Sequence, residues 1–244
     1  MKSVVYNEKW QVTTKNIPDN YFDWVVDDVP YGIGVGKMAY LKEIKTTVKQ
    51  KNGNKLNGNL NKKVYTQKDW DDEAPRQDYF DEMRRISKNQ IIFGVEYVDW
   101  EGLGKGRIKW NKGVAKGMSF KDYEMAYCSS IKHTHEIDLL WAGMCQAADL
   151  KNPMTQQGNK KLNEKRIHPC HKPTLLYKKI ALDFNLKGKK VYCGHNGSGS
   201  DRIAWEDYVE EFIASETDKE YFDLQEARYK KHTSNYKLFD TVNI

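Results

Sequence analysis

The run Asp28-Val29-Pro30-Tyr31-Gly32 constrains the fold of this chain most, because it directly follows the apolar run Trp24-Val25-Val26. Such an apolar run predicts a buried strand, which the acidic pair Asp27-Asp28 is expected to end. The motif then places a carboxylate and an aromatic ring at the carboxyl end of a strand. Open α/β sheets bind ligands and carry out chemistry at that edge. We therefore expect an α/β protein with a site at this position.

The rest of the chain contains short apolar runs that predict strands and stretches with helical spacing that predict helices. At 244 residues, the chain has the length of a single domain, and we predict one domain over 1–244. Further strands are predicted at Lys2–Tyr6, Ile91–Val95, Arg107–Trp110, Tyr123–Tyr127, Val191–Tyr192 and Phe212–Glu216, and helices at Asp78–Ile86, Pro173–Leu186, Ser200–Tyr208 and Lys219–Lys231.

A second group of motifs lies towards the carboxyl end of the chain. The hexapeptide His168-Pro169-Cys170-His171-Lys172-Pro173 precedes a predicted helix, and the turn Gly197-Ser198-Gly199 lies between a predicted strand and the next helix. Glycines in such a turn let the backbone approach a ligand closely beside a helix N-terminus. Glu216 ends the next predicted strand about 20 residues later, where an acidic side chain can hold a pair of ribose hydroxyls.

Together these motifs resemble those of the permuted β group of amino-group DNA methyltransferases. These enzymes transfer a methyl group from S-adenosylmethionine (SAM) to an exocyclic base nitrogen. The run from Asp28 to Tyr31 differs by one residue from the family's catalytic Asp-Pro-Pro-Tyr. His-Pro-x-x-Lys-Pro and Gly-x-Gly follow in the family's order, and the resemblance extends from about Asn16 to Lys231. It implies a single Rossmann-like SAM-dependent methyltransferase domain with a mixed, mostly parallel sheet. It also implies circular permutation, so that the catalytic strand precedes the SAM-binding strand.

The resemblance further implies an adenine-N6 methyltransferase of the phage or restriction-modification type, with a target base that leaves the duplex. Asp28 and the main-chain carbonyl of Val29 would accept hydrogen bonds from the target amino group. Pro30 would keep the turn stiff, and the base would stack on Tyr31. The residues that the resemblance places around SAM are His168, Lys172, Pro173, Cys193, Gly197, Ser198, Gly199, Ser200 and Glu216.

Cysteine and histidine side chains near the second motif group also raise the alternative of a zinc site. Their spacings match no familiar zinc finger, and methyl transfer from a sulfonium needs no metal, so we expect none. The residues in question are His168, Cys170, His171, Cys193 and His195.

Two departures from the family pattern leave a second function open. Val29 replaces a proline, and Cys193 stands where most relatives carry an Asp whose charge lies beside the methionine ammonium group. Losing a charged hydrogen bond weakens binding by about 1–3 kcal/mol, although Asp201 could replace part of that charge. The alternative is a catalytically impaired methyltransferase-like protein that acts as a nucleic-acid-binding or partner subunit.

Charge and composition favour a nucleic-acid partner. The net charge is +6 and the isoelectric point is about 8.9. Segment 41–68 is rich in lysine, with Glu43 as its one acid. It is predicted as a basic flexible loop that contacts phosphate, a solvated surface loop being the alternative. The resemblance places target recognition in the mostly polar segment 129–166. Double-stranded DNA is the expected substrate, while a homodimer, a partner subunit, RNA and cytosine N4 remain open.

The sequence also predicts where the protein works. The four cysteines lie far apart with no Cys-x-x-Cys pair, and the N-terminus has no apolar signal segment. We therefore expect the reducing cytoplasm of a bacterial host cell. No apolar run approaches the length of a membrane span, so no membrane partner is expected.

Overall fold

A computed structural model of the chain describes residues 1–38, 46–49, 55–58, 65–114, 121–142, 145–147 and 163–240. Short 3-10 helices lie at Val35–Lys37 and Val95–Tyr97. The strands are β1 Lys2–Tyr6, β2 Phe22–Asp28, β3 Thr46–Lys49, β4 Lys55–Gly58, β5 Ser87–Phe93, β6 Arg107–Asn111, β7 Tyr123–Cys128, β8 Thr134–Asp138, β9 Leu140–Ala142, β10 Cys145–Ala147, β11 Lys190–Cys193 and β12 Glu211–Ser215. The helices are α1 Trp10–Thr14, α2 Gln77–Ile86, α3 Thr174–Asp183, α4 Ser200–Ala204 and α5 Lys219–Asp240.

Eight strands form the main sheet, in the order β1-β12-β11-β2-β5-β7-β6-β8. The first five in this order run parallel to one another, β7 is antiparallel to both of its neighbours, and β8 is parallel to β6. The predicted mixed, mostly parallel sheet is therefore confirmed, while the circular permutation stays a prediction. Strands β2 and β11 are neighbours in the sheet. The strand that pairs with the other edge of β2 is β5, and the strand that pairs with the other edge of β11 is β12, so the order of strands runs in opposite directions from this pair. A crevice between the carboxyl ends of two such strands is the usual ligand site of an open α/β sheet.

Apolar side chains cover both faces of the sheet. Along β2, Trp24 and Val26 belong to one apolar cluster, and Phe22 and Val25 belong to the other. Helix α2 packs on the Val25 face because its apolar residues recur at helical spacing, and all four of these are fully buried: Tyr79, Phe80, Met83 and Ile86. Helix α3 covers the opposite face in the same way, with Leu176, Tyr177, Ile180 and Ala181.

Strand β2 extends further than the sequence predicts. The acidic pair does not end it, because Asp27 and Asp28 still pair in register with Ile92 and Phe93 of β5. Strand β5 likewise begins at Ser87, directly after α2, rather than at Ile91. In both places the backbone pairing of a central strand outweighs the preference of polar side chains for turns.

Helix ends also differ from the predictions. Helix α3 begins at Thr174, with Pro173 as its N-cap, and ends before Asn185, which adopts a left-handed φ of 50°. Helix α4 ends at Ala204 instead of Tyr208, and α5 continues to Asp240 instead of Lys231.

Regular structure occurs inside both segments that were predicted to be irregular. Strands β3 and β4 pair antiparallel within the basic loop 41–68, and β8, β9 and β10 fall within segment 129–166. The sequence pattern did not predict β8, because β8 is an edge strand with Ile137 as its one buried residue. The remaining parts of these segments lie outside the described residues, and their roles stay predictions. In the described ranges, no helix is both long and apolar enough to cross a membrane.

Helix α3 allows a test of the packing with a matched pair of leucines, because Leu176 is fully buried while Leu182 is 66% exposed. Replacing Leu176 with Ala is expected to lower the free energy of unfolding by about 2–5 kcal/mol, since it leaves a cavity against the sheet. Leu182→Ala is expected to change it by less than about 0.5 kcal/mol. Urea denaturation followed by circular dichroism measures both. Equal losses would contradict the described packing of α3.

Candidate active site

A cavity of about 290 Å³ lies at the carboxyl ends of β2, β11 and β12. The motif after β2, the segment before α3, the turn after β11 and the residues after β12 all reach it. Residues 9–11, Trp70 and Asp71 complete its walls. The two motif groups that lie far apart in the sequence therefore meet around one cavity.

The structure brings most of the predicted site residues together at this cavity. All four predicted catalytic residues line it: Asp28, Val29, Pro30 and Tyr31. Of the residues predicted around SAM, the cavity is lined by His168, Lys172, Gly197, Ser198 and Glu216. The other four, Pro173, Cys193, Gly199 and Ser200, lie beside these residues in the chain but are not part of its walls.

Asp28 is the centre of a cluster of polar groups that includes Glu124 of β7. The Tyr31 hydroxyl lies 3.0 Å from Asp28 Oδ1 and 3.1 Å from Glu124 Oε2, so it can donate its proton to either carboxylate. Lys172 donates to the Tyr31 hydroxyl at 3.0 Å and forms ion pairs with Asp28 and, at 3.0 Å, with Glu124. The ammonium group of Lys172 thus contacts the catalytic motif rather than the glycine-rich turn.

The two carboxylates share one ammonium group and therefore titrate as a pair. Burial raises the pKa of Glu124, but the charges of Lys172 and Lys112 outweigh this effect and lower it to about 2. Burial also raises the pKa of Asp28. Lys172 opposes that rise while Glu124 reinforces it, so the pKa of Asp28 lies above its ordinary value. Asp28 is consequently the more basic member of the pair.

The Tyr31 ring is held from both directions. On one side it stacks on Tyr97, with ring centres 4.7 Å apart and planes 11° apart. On another it lies against the backbone of Gly94, where an added Cβ would come within 2.5 Å of the ring. Only glycine fits at position 94 while the ring keeps this place. The packing directs the Tyr31 hydroxyl towards Asp28 and Glu124.

Asp27, which precedes the predicted catalytic residue Asp28, joins β2 to the turn after β11. Its carboxylate is fully buried and accepts backbone hydrogen bonds from Gly194 and His195, each at 3.0 Å. The Tyr79 hydroxyl donates to it at 2.5 Å, and the Cys193 thiol at 3.4 Å. A carboxylate therefore does lie beside Cys193, but it comes from the neighbouring strand.

Asp27 also forms an ion pair with the His195 imidazole, at 2.9 Å from Nδ1. Burial alone lowers the pKa of His195, but the charge of Asp27 and the hydrogen bond to it outweigh burial and raise that pKa. Burial raises the pKa of Asp27, while His195 and the donated hydrogen bonds bring it below its ordinary value. Each group therefore stabilises the charged form of the other.

A second buried carboxylate, Asp71, fixes the loop that follows the catalytic motif. It accepts backbone hydrogen bonds from Tyr31 at 2.6 Å, from Gly32 at 3.2 Å and from Val35 at 2.9 Å. Because these donors lie in a loop, they have no strand partner, and the side chain of Asp71 satisfies them instead. The position of Tyr31 thus depends on a residue 40 positions later in the chain.

The glycine-rich turn has the conformation that its sequence predicts. Gly197 and Gly199 adopt φ values of 53° and 64°, which disfavour other residues. Glu216 accepts from the Gly197 N–H at 2.7 Å and from the Asp218 N–H at 2.8 Å, so it is directed at the turn. Asn196 Oδ1 is buried and accepts no hydrogen bond from any residue that the structure describes. Asn196 lines the cavity, so this oxygen is a candidate acceptor for a ligand donor.

Glu164 connects the turn to the segment before α3. It accepts hydrogen bonds from the His171 imidazole at 3.0 Å and from the Thr174 hydroxyl at 2.6 Å, and it pairs with Arg228 of α5. Arg228 in turn donates to the Ser198 carbonyl at 2.7 Å. One carboxylate thus links segment 129–166, the His-Pro-x-x-Lys-Pro hexapeptide and the glycine-rich turn.

Sequence reasoning missed four acidic residues of this site: Asp27, Asp71, Glu124 and Glu164. Asp27 carried a signal, since a second carboxylate next to a catalytic one at a strand end needs a partner of its own. The other three carried none: Asp71 and Glu124 reach the site from distant parts of the chain, and Glu164 precedes the hexapeptide in a segment without sustained periodicity. Over the described ranges, no three His, Cys, Asp or Glu side chains come together in a group that could hold a metal ion.

No protein-family model matches this chain, and no curated protein does. Solved structures do match it. The crystal structure of the M1.HpyAVI–SAM complex is 15% identical, with a TM-score of 0.52, over 93% of this chain and 99% of that one. The PvuII DNA methyltransferase, which is cytosine-N4-specific, is 13% identical, with a TM-score of 0.51, over 97% and 92%.

These likenesses show the fold. The chain shares the Rossmann-like α/β fold of these two structures, so the fold class predicted from the motifs is confirmed. At identities of 15% and 13%, the likeness shows the fold alone, and the activity is argued from the site.

The Asp27–His195 pair predicts a pH-dependent contribution to stability. Because the pKa of His195 is raised in the folded protein, its stabilising effect is complete below the ordinary histidine pKa of about 6.5 and is lost as the pH rises through the folded value. His195→Gln is therefore expected to lower the free energy of unfolding by about 1–3 kcal/mol near pH 6 and by less near pH 9. Urea denaturation at both pH values measures the difference.

The control for this experiment is the same His195→Gln change in an Asp27→Asn background, where the ion pair is already absent. There, the cost of the histidine change should no longer depend on pH. A pH dependence that survives in this background would show that another group is responsible.

Proposed function

We propose that the protein transfers a methyl group from SAM to the N6 amino group of adenine in DNA. The observation that carries this proposal is the position of Asp28, whose carboxylate lies at the cavity beside Tyr31 and opposite the glycine-rich turn. Open α/β sheets bind ligands at this edge, and the residues found there have the chemistry that the reaction needs.

The residues around the glycine-rich turn fit SAM. Glu216 would hold the ribose hydroxyls, and the N–H groups and positive φ values of the turn allow a ligand to approach the backbone closely. The orphaned Asn196 Oδ1 is an acceptor suited to the methionine ammonium group, in place of the carboxylate that Cys193 lacks. When bound, SAM supplies an electrophilic methyl group on a sulfonium.

The catalytic motif suits an exocyclic amino group. The lone pair of such a nitrogen is delocalised into the ring, so the protein has to accept hydrogen bonds from it and later take up one of its protons. Asp28 can do both, because its pKa is raised relative to that of Glu124 and its carboxylate reaches the cavity. The Val29 carbonyl is the second proposed acceptor, and the base is proposed to stack on Tyr31 by displacing the Tyr97 ring that covers one of its faces in this structure.

The substrate is proposed to be double-stranded DNA. The protein carries a net charge of +6, and the basic segment 41–68 follows the catalytic motif directly in the chain. Segment 129–166 is proposed to recognise the target sequence. We further propose that the protein works in the cytoplasm of a bacterial host, in a phage or restriction-modification setting, as a homodimer or with a partner subunit.

A second candidate function is a catalytically impaired methyltransferase-like protein that binds nucleic acid or a partner subunit. Cys193 favours it, because the Asp27 carboxylate beside this thiol is fully buried and already bound to Tyr79 and His195. Binding of SAM separates the two functions.

The decisive experiment is transfer of labelled methyl groups from SAM to unmethylated duplex DNA, followed by digestion to nucleosides. Wild-type protein is expected to form N6-methyl-2′-deoxyadenosine, and Asp28→Ala should lower the rate by about 100- to 10,000-fold. Asp99→Ala, at an exposed position outside the cavity, is the control and should leave the rate unchanged. Label in N4-methyl-2′-deoxycytidine would identify cytosine as the target base. No transfer by folded protein that binds DNA would favour the impaired protein.

Cofactor binding is tested separately at Glu216. Glu216→Gln removes the charge that would hold the ribose hydroxyls, so the Kd for SAM is expected to rise about tenfold. Isothermal titration calorimetry measures this change. Glu210→Gln, at an exposed position just before β12, is the matched control. The same Kd in both variants would place the cofactor elsewhere.

A further inference from the structure

Glu124 lies inside the Asp28 cluster but has no role in the reaction as proposed so far. Strand β7 presents it from the far side of β5, and its side chain is 19% exposed. One oxygen, Oε2, lies 3.0 Å from Lys172 Nζ and 3.1 Å from the Tyr31 hydroxyl, and the other, Oε1, lies 2.9 Å from Lys112 Nζ. Glu124 is thus anchored by Lys112 and shares Lys172 with Asp28.

The shared ammonium group decides how well Asp28 can bind a substrate. A carboxylate that pairs alone with a buried ammonium group is a weak acceptor for other donors and a weak base. Lys172 has three N–H donors, and its partners are Asp28, Glu124 and the Tyr31 hydroxyl. Without the charge of Glu124, Asp28 would be the one counter-ion of Lys172 among these groups.

We propose that Glu124 is a positioning residue, which holds Lys172 between two carboxylates and so leaves Asp28 able to accept a hydrogen bond and then a proton from the target amino group. This inference rests on the proposed function. As the amino group reaches Asp28, Lys172 keeps two partners, Glu124 and Tyr31, so its charge stays compensated in a buried position. Asp28 therefore exchanges an internal donor for a substrate donor without leaving an unpaired charge behind.

Several other groups of the site influence these carboxylates. The titratable groups that face Asp28 or Glu124 from the surrounding elements are Tyr31, Lys112, Cys170, Lys172, Tyr177 and His195. The Glu124→Gln substitution leaves all six of these residues unchanged in the sequence. A change in the titration of Asp28 on removal of the Glu124 charge therefore reports on the pairing of these two carboxylates.

The test uses Glu124→Gln, which keeps the size of the side chain and removes its charge. Since the charge of Glu124 raises the pKa of Asp28, its loss lowers that pKa, and the acidic limb of the kcat profile moves to lower pH. The maximum kcat is expected to fall about tenfold because Asp28 becomes a weaker base. The Kd for SAM should not change. Glu124→Asp should restore part of kcat, and Glu210→Gln, at an exposed position outside the cavity, should match wild type.

A second readout is independent of activity. The titration of the Asp28 carboxyl carbon is followed by 13C NMR in the full-length protein, with Asp28→Asn to assign the signal. A lower Asp28 pKa in Glu124→Gln supports the inference, and an unchanged pKa overturns it.

An unchanged kcat profile in an active protein also overturns it and leaves the proposed function intact. If wild-type protein transfers no methyl group, the proposed function fails and the NMR titration alone decides the inference. If Glu124→Gln does not fold, Glu124→Asp takes its place in both measurements, with smaller changes in the same directions.

Discussion

The hydrogen bonds of Asp27 are the interaction on which the site depends. This one buried carboxylate accepts from the backbone of Gly194 and His195 and from the hydroxyl of Tyr79 on α2. It therefore ties three elements together at the point where the sheet opens into its crevice. A buried carboxylate is costly unless its lone pairs are satisfied, and here β11 and α2 supply the donors. The spacing between the catalytic motif and the glycine-rich turn follows from this arrangement.

The Asp27 carboxylate also determines the environment of the Cys193 thiol. The thiol is buried and donates a weak hydrogen bond to Asp27 instead of facing the cavity. Two carboxylates at adjacent positions of neighbouring strands would repel each other, so a neutral side chain at 193 is compatible with a charged Asp27 in a way that an aspartate is not. The departure from the family pattern at Cys193 and the presence of Asp27 are thus two parts of one arrangement.

Much of the fold was predictable because its central elements carry strong periodic signals. The apolar face of α2 predicts a helix and the run at Trp24–Val26 predicts a buried strand. The two motif groups indicate the two strands that flank the cavity, β2 and β11. Strand β8 was not predictable, since its one buried residue is too weak a pattern. The site divides in the same way. Asp28, Tyr31 and Glu216 belong to local motifs, whereas Asp71 and Glu124 contact the catalytic motif from distant segments that only the tertiary structure brings close.

The stacking of Tyr97 on Tyr31 has a consequence for selectivity. The face of Tyr31 that Tyr97 covers is already in contact with an aromatic ring, so a planar ligand can use that face only by displacing a neighbour. An aromatic pair contributes about 0.5–1.5 kcal/mol, so replacing the Tyr97 ring with a ligand ring on Tyr31 gains little net stacking energy. Every nucleobase would gain about equally from that exchange. Discrimination between bases then depends on the polar edge that meets Asp28. A planar molecule without a matching amino group would gain no binding affinity there.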